Sequence, residues 1–208
     1  MATTTKLTAE RKKELYEQRR VKTGKVRINF QSLFKKKTKD DGSERYEVML
    51  LIPKTDTKTI EAMKRALEAG AELSKFGSLG EVKELEGRVN PLRDGDTEKD
   101  KKTRKLRKED YPYYAGHYFL TVGTANKPEI VDVYQNEVVE GQLKDGDYVR
   151  IVLDAYAYDT KGNIGMTFGM AGPVLKVADG EALGGGKVKA TDAFADDFEE
   201  ATEESSWD

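Results

Sequence analysis

The 208-residue chain is 37% hydrophobic and 36% charged, a composition that predicts one domain with a proper core and appendages rich in surface residues. It contains no cysteine, which excludes disulfides, thiol catalysis and thiolate metal sites and is compatible with a reducing compartment. No apolar run is long enough for a signal peptide or a membrane span, so we expect a soluble, cytoplasmic protein.

Charge is distributed unevenly along the chain. The net charge is -2, yet residues 191–208 hold eight acids and no base, which leaves residues 1–190 with 36 basic and 30 acidic side chains. Residues 1–39 alone carry thirteen lysines and arginines. A basic body with an acidic tail indicates contact with nucleic acid and a tail that binds another partner.

The N-terminal segment, residues 1–23, is basic and permits a helix, but its apolar side chains are too sparse for a wide apolar stripe. We therefore predict a mobile basic arm that becomes helical on contact. The folded domain is expected to span residues 24–180.

Two strands, residues 25–34 and 46–52, are predicted to open the domain, joined by a hairpin at an Asp-Gly step. Apolar and polar residues alternate in the first strand, so one face is expected to be core and the other polar and basic. The expected core face holds Val26, Ile28, Phe30 and Phe34, and the polar face Lys25, Arg27, Asn29 and Gln31. A helix capped by Asp56 or Thr57 follows and is expected to cover the sheet.

The most unusual stretch is the long connection from Arg88 to Tyr111 and the residues just after it. A turn-rich segment over residues 90–96 leads into a run of seven cations with one acid, Asp100, among them. These cations are Lys99, Lys101, Lys102, Arg104, Lys105, Arg107 and Lys108. An aromatic cluster follows, made of Tyr111, Tyr113, Tyr114, His117, Tyr118 and Phe119.

Basic and aromatic residues together suit single-stranded nucleic acid, because cations attract a polyanion of any sequence and aromatic faces stack on unpaired bases. Taken singly, the basic run is typical of a solvated loop, and the aromatic cluster is typical of a core. Their adjacency in an unusually long connection favours a binding site.

Short antiparallel strands are predicted for the rest of the domain, over residues 117–122, 130–134, 148–158, 164–170 and 173–178. One face of the longest strand carries Tyr148, Arg150, Asp154, Tyr156 and Tyr158. Such a face suits base stacking, and the alternative is that Tyr156 and Tyr158 pack under a loop or a partner subunit.

The C-terminal segment, residues 181–208, is predicted to be a glycine linker followed by a disordered acidic tail. We expect the tail to occupy the basic groove at high effective concentration when DNA is absent. The alternative is a tail that only keeps the protein in solution.

The order of these elements favours a mainly β protein: an OB-fold-like, partly open antiparallel β-barrel with one helix, a long basic loop and a disordered acidic C-terminal tail. Five sequence blocks in a fixed order point to a family. They are NPLRDGD at 90–96, YAGHYF at 114–119, YAY at 156–158, GEALGG at 180–185 and AFADDF at 193–198. With them, most of residues 26–198 resembles the bacteriophage-encoded single-stranded-DNA-binding proteins of OB-fold type.

The resemblance implies a protein that coats single-stranded DNA without sequence preference in phage DNA replication, recombination and repair, often as a homodimer. It also implies that the acidic tail contacts replication or recombination proteins. Tails of the family tend to end in an aromatic residue, whereas here Trp207 is penultimate. We expect no cofactor, no metal and no catalytic activity.

The candidate site residues are of two kinds. For contact with single-stranded DNA we expect Lys25, Arg27, Arg93, Lys101, Lys102, Arg104, Lys105, Arg107, Tyr111, Tyr113, Tyr114, Tyr118, Arg150, Tyr156 and Tyr158. For contact of the tail with a partner protein we expect Phe194, Asp196, Asp197, Phe198, Trp207 and Asp208.

Two other function classes stay open. A metal-dependent nuclease would use Asp94 and Asp96, although Asp-Gly-Asp recurs at residues 145–147, where it is typical of a turn. An RNA-binding or protein-binding OB module is the other alternative. A lone His117 without cysteine excludes a zinc site rich in His and Cys, and no Gly-x-x-x-x-Gly-Lys phosphate-binding motif is present.

Overall fold

An antiparallel sheet that curls back on itself forms the frame of the molecule. The computed structural model describes residues 7–39 and 41–183. Its helices and strands, in chain order, are α1 (Ala9–Gln18), β1 (Arg20–Lys22), β2 (Val26–Thr38), β3 (Glu44–Pro53), α2 (Thr57–Glu72), α3 (Leu79–Glu84), β4 (Arg93–Asp94), α4 (Arg107–Asp110), β5 (His117–Thr124), β6 (Ile130–Val131), β7 (Tyr148–Thr160) and β8 (Asn163–Ala178).

The strand order makes this sheet a partly open barrel, as predicted. β3 lies between β2 and β5, and β7 continues the sheet on the other side of β2 and pairs with β8. β8 returns beside β5, where a Cβ on Gly169 would lie 3.6 Å from the carbonyl oxygen of Gly123. No hydrogen-bonded ladder joins these two strands in the described residues, so a seam remains between them. The short β6 pairs with β8 in parallel.

Alternate residues of the strands fill the barrel interior. On β7, four residues that point inward are at most 1% exposed: Val149, Ile151, Leu153 and Ala155. On β3, Leu50 and Ile52 point into the same core. Because successive side chains of a strand point to opposite faces, the residues between them face outward.

Helix α2 covers the sheet as the sequence predicted. The Asp56 carboxylate accepts a hydrogen bond from the Thr59 N–H at 3.1 Å and so caps the helix. Met63 and Leu67 are buried against the sheet. Gly70 allows close contact with β7, because a Cβ there would lie 2.8 Å from the Ala155 carbonyl oxygen. Three shorter helices, α1, α3 and α4, accompany α2.

The N-terminal segment is folded onto the domain, and the prediction of a mobile arm is wrong for residues 7–23. Leu15 of α1 is fully buried, and the Arg11 guanidinium donates to the Glu72 carboxylate at 2.9 and 2.8 Å. β1 then pairs with β7, with Arg20 opposite Asp154. One well-packed leucine and a bidentate ion pair anchor a helix that has no wide apolar stripe.

A bulge in β2 turns Phe30 out of the core, which corrects the predicted alternation. The register against β3 shifts between Asn29 and Ser32, and Phe30 has a φ of 49° and is 58% exposed. Leu33 is fully buried in its place. The extra residue reverses the parity of the strand, so the aromatic ring faces solvent.

The C-terminal part of the domain differs from prediction in strand length. Residues 164–170 and 173–178 belong to one strand, β8, and β6 contains only two residues. The predicted linker at Gly184–Gly186 and all tail residues, including Phe194, Asp196, Asp197, Phe198, Trp207 and Asp208, lie outside the described residues. None of the helices described above is both long and apolar enough to cross a membrane.

Candidate nucleic-acid interface

The outer face of β3 and β5 carries a second, smaller apolar cluster. Leu51 and Phe119 are at most 1% exposed although they point away from the barrel interior. Tyr114 lies over them and is also 1% exposed, and its hydroxyl lies 3.4 Å from the sulfur of Met49. We call Leu51, Tyr114 and Phe119 the outer cluster.

Tyr114 is therefore a packing residue, and the expectation that it offers a face to a base is wrong. Its ring centroid lies 4.7 Å from that of Phe119 in an edge-to-face arrangement. Burial raises the pKa of the phenol. The ring attaches the connection between β4 and β5 to the sheet, because aromatic side chains bury a large apolar area.

Tyr113 and Tyr111 form a triangle of rings with Tyr114 of the outer cluster, in which Tyr111 also lies 6.3 Å from Tyr114 between centroids. The centroid of Tyr113 lies 4.9 Å from that of Tyr114, and the centroid of Tyr111 lies 5.8 Å from that of Tyr113. Tyr113 is half-buried, and Tyr111 is 42% exposed. A ring held by packing on one side has its other side free for stacking on a base.

Phe30 is an aromatic residue of this surface that sequence reasoning missed. Its backbone lies near Tyr113, since the side chain of the preceding residue, Asn29, is next to the Tyr113 hydroxyl. A phenylalanine exposed on a strand is uncommon unless it has a partner. The signal in the sequence was the change of parity between Ile28 and Leu33, which a regular strand does not allow.

The basic run folds into a small hairpin rather than a loose loop. Lys99 and Leu106 form a β-bridge, and Asp100 caps the turn by accepting the N–H groups of Lys102 and Thr103 at 2.8 and 3.0 Å. The backbone of Arg104 is in the left-handed conformation, with a φ of 64°. The turn presents four exposed cations, which we call the basic tip: Lys101, Lys102, Arg104 and Lys105.

Two arginines of the candidate list serve the structure of this hairpin. Arg107 pairs with Asp100 at 3.6 Å and lies over the Tyr114 ring at 5.9 Å. Arg93 pairs with Glu98 and lies 4.6 Å from the centroid of the Phe119 ring. These contacts stabilise the aromatic rings and leave the guanidinium groups less available for phosphates than the basic tip.

The candidate arginines of β2 and β7 also donate hydrogen bonds to backbone carbonyl oxygens within the protein. Arg27 donates to the carbonyl oxygens of Gly146, at 2.9 Å, and Glu181. Arg150 donates to the Thr23 carbonyl oxygen at 3.2 Å. Lys25 is exposed and lies 4.3 Å from the centroid of the Tyr148 ring. Of this group, Lys25 is the cation best placed to meet a phosphate.

Three further candidate tyrosines do not contact the rings of Tyr111, Tyr113 and Tyr114. Tyr118 packs against the main core, on the opposite face of β5 from Phe119, so it does not join the outer surface. Tyr158 lies across Gly165 and is half-buried. Tyr156 lies across Gly169 beside the seam and is 36% exposed. Both tyrosines thus pack against glycines of the neighbouring strand β8, an arrangement that differs from the predicted packing under a loop or a partner subunit.

The β2–β3 hairpin supplies cations that were not on the list. Lys35, Lys36, Lys37 and Lys39 are exposed along its arm. Lys35 pairs with Glu140 at 3.0 Å and Lys39 pairs with Glu47, which leaves Lys36 and Lys37 without an ion pair in the described part of the chain. We call these four residues the lysine arm.

The last described residues cross this surface. Gly180 N–H donates to the Asp147 carboxylate at 3.0 Å, and Leu183 N–H donates to the Asp145 carbonyl oxygen at 3.2 Å. The Leu183 side chain packs against the outer cluster. Residues 179–183, which we call the C-terminal strap, therefore lead the chain to the candidate interface.

Comparison with known proteins bears on this surface. The sequence matches the family model of the single-stranded-DNA-binding protein of Enterobacter phage Enc34 over residues 19–206. The chain belongs to this family. The resemblance found in the sequence is thereby confirmed. Among curated proteins, none gives a significant match.

Solved structures share the fold of this Enc34-family chain. The single-stranded DNA-binding protein from bacteriophage Enc34 in complex with ssDNA is 21% identical, with a TM-score of 0.66, and the match covers 82% of this chain and 92% of that one. Another structure of that protein is 22% identical, with a TM-score of 0.62 and coverages of 86% and 92%. The gp2.5 single-stranded DNA binding protein encoded by bacteriophage T7 is 15% identical, with a TM-score of 0.50 and coverages of 85% and 93%.

The two acids of the nuclease alternative are engaged by a lysine. Lys54 Nζ lies 2.6 Å from Asp94 Oδ1 and 2.8 Å from Asp96 Oδ2. Between residues 7 and 183, as far as they are described, no group of three or more His, Asp or Glu side chains is arranged to hold a metal ion. The hydrogen bond from Lys54 holds the pKa of Asp96 at about 2, against an ordinary value of 3.8.

We predict that the Lys54–Asp96 pair stabilises the fold above pH 3.8 and that this contribution is lost as the pH falls through about 2. A carboxylate with a lowered pKa in the folded state binds a proton more readily when unfolded, so acid removes its contribution. Lys54→Met should lower the free energy of unfolding near neutral pH, and the difference from wild type should shrink below pH 3.8. Urea unfolding at a series of pH values measures this, with Lys64→Met on the exposed face of α2 as the control. An unchanged difference across the pH range contradicts the prediction.

Proposed function

We propose that this member of the Enc34 family binds single-stranded DNA without sequence preference and coats it during phage DNA replication, recombination and repair. The carrying observation is that one connection, attached to the sheet by Tyr114, carries both the exposed Tyr111 ring and the four exposed cations of the basic tip. Stacking platforms beside a cationic surface are the common design of proteins that bind single strands. Membership in a single-stranded-DNA-binding family supports the same function.

In this proposal the single-stranded DNA follows the outer face of β3. The connection that carries the basic tip is attached by Tyr114 over Leu51, near one end of β3, and the lysine arm extends from the opposite end. Ten residues of β-strand span about 33 Å. That length suits a footprint within the range of about 4 to 16 nucleotides seen for one OB-fold.

The protein acts as a binder and not as a nuclease, in the cytoplasm of the infected host cell. Lys54 between Asp94 and Asp96 supports this, because its ammonium group takes the position that a hard cation would need. Incubation of labelled DNA with the protein and Mg²⁺ tests the point. A mobility shift of intact DNA supports binding, and shortened DNA contradicts it.

Competition among nucleic acids tests the proposed ligand directly. Unlabelled single-stranded DNA should displace a labelled single strand far better than duplex DNA of the same length, because paired bases cannot stack on Phe30 and Tyr111. RNA of the same sequence is the third competitor. Equal affinity for duplex and single strand would refute the proposal, and a preference for RNA would favour the RNA-binding alternative.

Aromatic truncation should weaken binding at the surface but not elsewhere. Phe30→Ala and Tyr111→Ala should each reduce the binding free energy by about 1 to 3 kcal/mol if a base stacks on the ring. Tyr16→Ala is the control, since Tyr16 is 54% exposed on α1, which packs on α2. Fluorescence anisotropy with a labelled oligonucleotide measures all three. Equal affinities of Tyr111→Ala and Tyr16→Ala would exclude stacking on Tyr111.

Neutralising the basic tip should flatten the salt dependence of binding. A variant with Lys101, Lys102, Arg104 and Lys105 changed to Gln should reduce the slope of log K against log salt by up to about 3, since each phosphate contact to a single strand contributes about 0.7. The matched control carries Gln at Lys12, Lys13, Lys64 and Arg65, four exposed cations of the helical side. If both variants lower the slope equally, the effect is due to net charge and not to the basic tip.

We further propose that the acidic tail competes with DNA for this surface and contacts replication or recombination proteins once DNA displaces it. The C-terminal strap supports this, because Leu183 rests on the outer cluster and Arg27 holds the Glu181 carbonyl. A polyanion tethered at that point has a high effective concentration near the basic tip. Phe194, Phe198 and Trp207 are the proposed anchors in the partner protein.

Deletion of residues 191–208 should therefore tighten binding to single-stranded DNA and abolish capture of the partner protein. A full-length variant whose tail acids are changed to Asn and Gln separates charge from length, and it should bind DNA as tightly as the deletion. The affinity for a labelled oligonucleotide at low and high salt measures both. Unchanged or weaker affinity of the deletion would contradict competition.

The homodimer implied by the sequence resemblance is also proposed for this chain. Sedimentation equilibrium of the free protein tests it, because a dimer sediments with twice the mass of one chain. A single-chain mass over the whole concentration range would contradict it.

A further inference from the structure

In the side-chain amide of Asn29, the oxygen Oδ1 accepts a hydrogen bond, whereas the nitrogen Nδ2 donates none to the part of the chain that the structure describes. Asn29 lies in the β2 bulge and is 1% exposed. Its Oδ1 accepts a hydrogen bond from the Phe30 N–H at 2.9 Å. Because a backbone N–H can only donate, this bond determines which way the amide is turned. The Nδ2 group therefore points to the other side.

Asn29 Nδ2 is buried and has no hydrogen-bond partner among the described residues. Buried donors without a partner are rare in folded proteins, because the loss of hydration is then uncompensated. A donor of this kind at a binding surface indicates an acceptor that arrives with the ligand.

Two aromatic residues neighbour this amide, Phe30 along the chain and Tyr113 in space. Phe30, the next residue, is 58% exposed. The Tyr113 hydroxyl lies beside the amide but forms no hydrogen bond of normal geometry with Nδ2. Burial raises the pKa of Tyr113, and the neighbouring Asn29 amide opposes that rise. The Tyr113 ring packs against Tyr111 and Tyr114.

The charge around the amide favours a neutral acceptor. The carboxylate of Asp145 accepts the Gln31 N–H at 3.0 Å on the same bulge, and it also lies close enough to Tyr113 to act on its phenol. A phosphate placed here would be repelled by Asp145, whereas the uncharged carbonyl of a base would not. A base is also the part of a nucleotide that stacks on Phe30.

We propose that Asn29 Nδ2 donates a hydrogen bond to the carbonyl oxygen of a base that is stacked on Phe30, in the position next to Tyr113. Thymine, cytosine and guanine carry such a carbonyl, whereas adenine offers only ring nitrogens as acceptors, so the proposed preference at this position is for a carbonyl over a ring nitrogen. The inference rests on the proposed binding of single-stranded DNA and adds a base preference at one position. A single hydrogen bond gives modest discrimination, which is compatible with coating of any sequence.

The test compares two oligonucleotides that differ only in the base carbonyls. One has about 12 thymidines, within the usual site size. The other has difluorotoluene in place of every thymine, which keeps the shape of the base but is a very poor acceptor. Wild-type protein should bind the thymidine strand about threefold to tenfold more tightly than the difluorotoluene strand, because one hydrogen bond contributes about that factor to the affinity. Asn29→Asp, which keeps the acceptor for Phe30 N–H but loses the donor, and Asn29→Leu, which loses both, should each lack that share.

Controls separate the possible reasons for failure. Asn126→Asp adds the same charge at an exposed position near the end of β5 and should discriminate like wild type. Thermal unfolding shows whether each variant is folded, and the cycle of two proteins and two strands isolates the share of Asn29. Equal discrimination by wild type and both Asn29 variants overturns the inference. A second comparison uses a thymidine strand with uncharged methylphosphonate linkages in place of the phosphates. If the Asn29 variants lose the preference of wild type for the phosphate strand over the methylphosphonate strand, Asn29 contacts a phosphate and the inference is overturned. Failure of wild type to bind the thymidine strand refutes the proposed function itself.

Discussion

Burial of Tyr114 on the outer face of β3 and β5 is the contact on which the arrangement of the surface depends. The ring joins Leu51 and Phe119 in a small core of its own, separate from the barrel interior. Hydrophobic burial of one aromatic side chain stabilises by a few kcal/mol at most, but here it holds a connection of more than twenty residues against the sheet. The exposure of Tyr111 and the position of the basic tip both follow from this attachment.

Charged groups in the same connection act in two different ways. Asp100, Glu98 and Asp96 pair with Arg107, Arg93 and Lys54, so these ions shape the hairpin and its contact with the barrel. The cations of the basic tip extend from the hairpin without such partners in the described residues. The fold therefore distinguishes the paired cations, which hold the hairpin in place, from the unpaired cations of the basic tip, which make the surface positively charged. In the sequence most of these residues belong to a single basic run. Exposed cations of this kind contribute little to stability and much to the attraction of a polyanion.

Regular alternation made much of the barrel predictable, and single departures from it made the rest unpredictable. The inward residues of β7 and the cap at Asp56 followed from local pattern alone. Phe30 did not, because one inserted residue in β2 exchanges the two faces, and only the position of Leu33 reveals the insertion. The choice between Tyr114 and Tyr111 depends on the fold of the whole connection, which no periodicity encodes. The docking of α1 depends on one leucine and one ion pair, a signal too small to separate from a mobile arm.

The seam between β5 and β8 has a consequence for the contact between neighbouring molecules if the protein coats a single strand as proposed. An open barrel edge offers unpaired backbone groups to the edge of a neighbouring molecule, which is a route to aggregation. Here Tyr156 lies over Gly169, and Gly123 approaches the same glycine from the other strand. The ring therefore acts as a steric guard on the edge. In the proposed coat, this ring would hinder pairing between the sheets of neighbouring barrels.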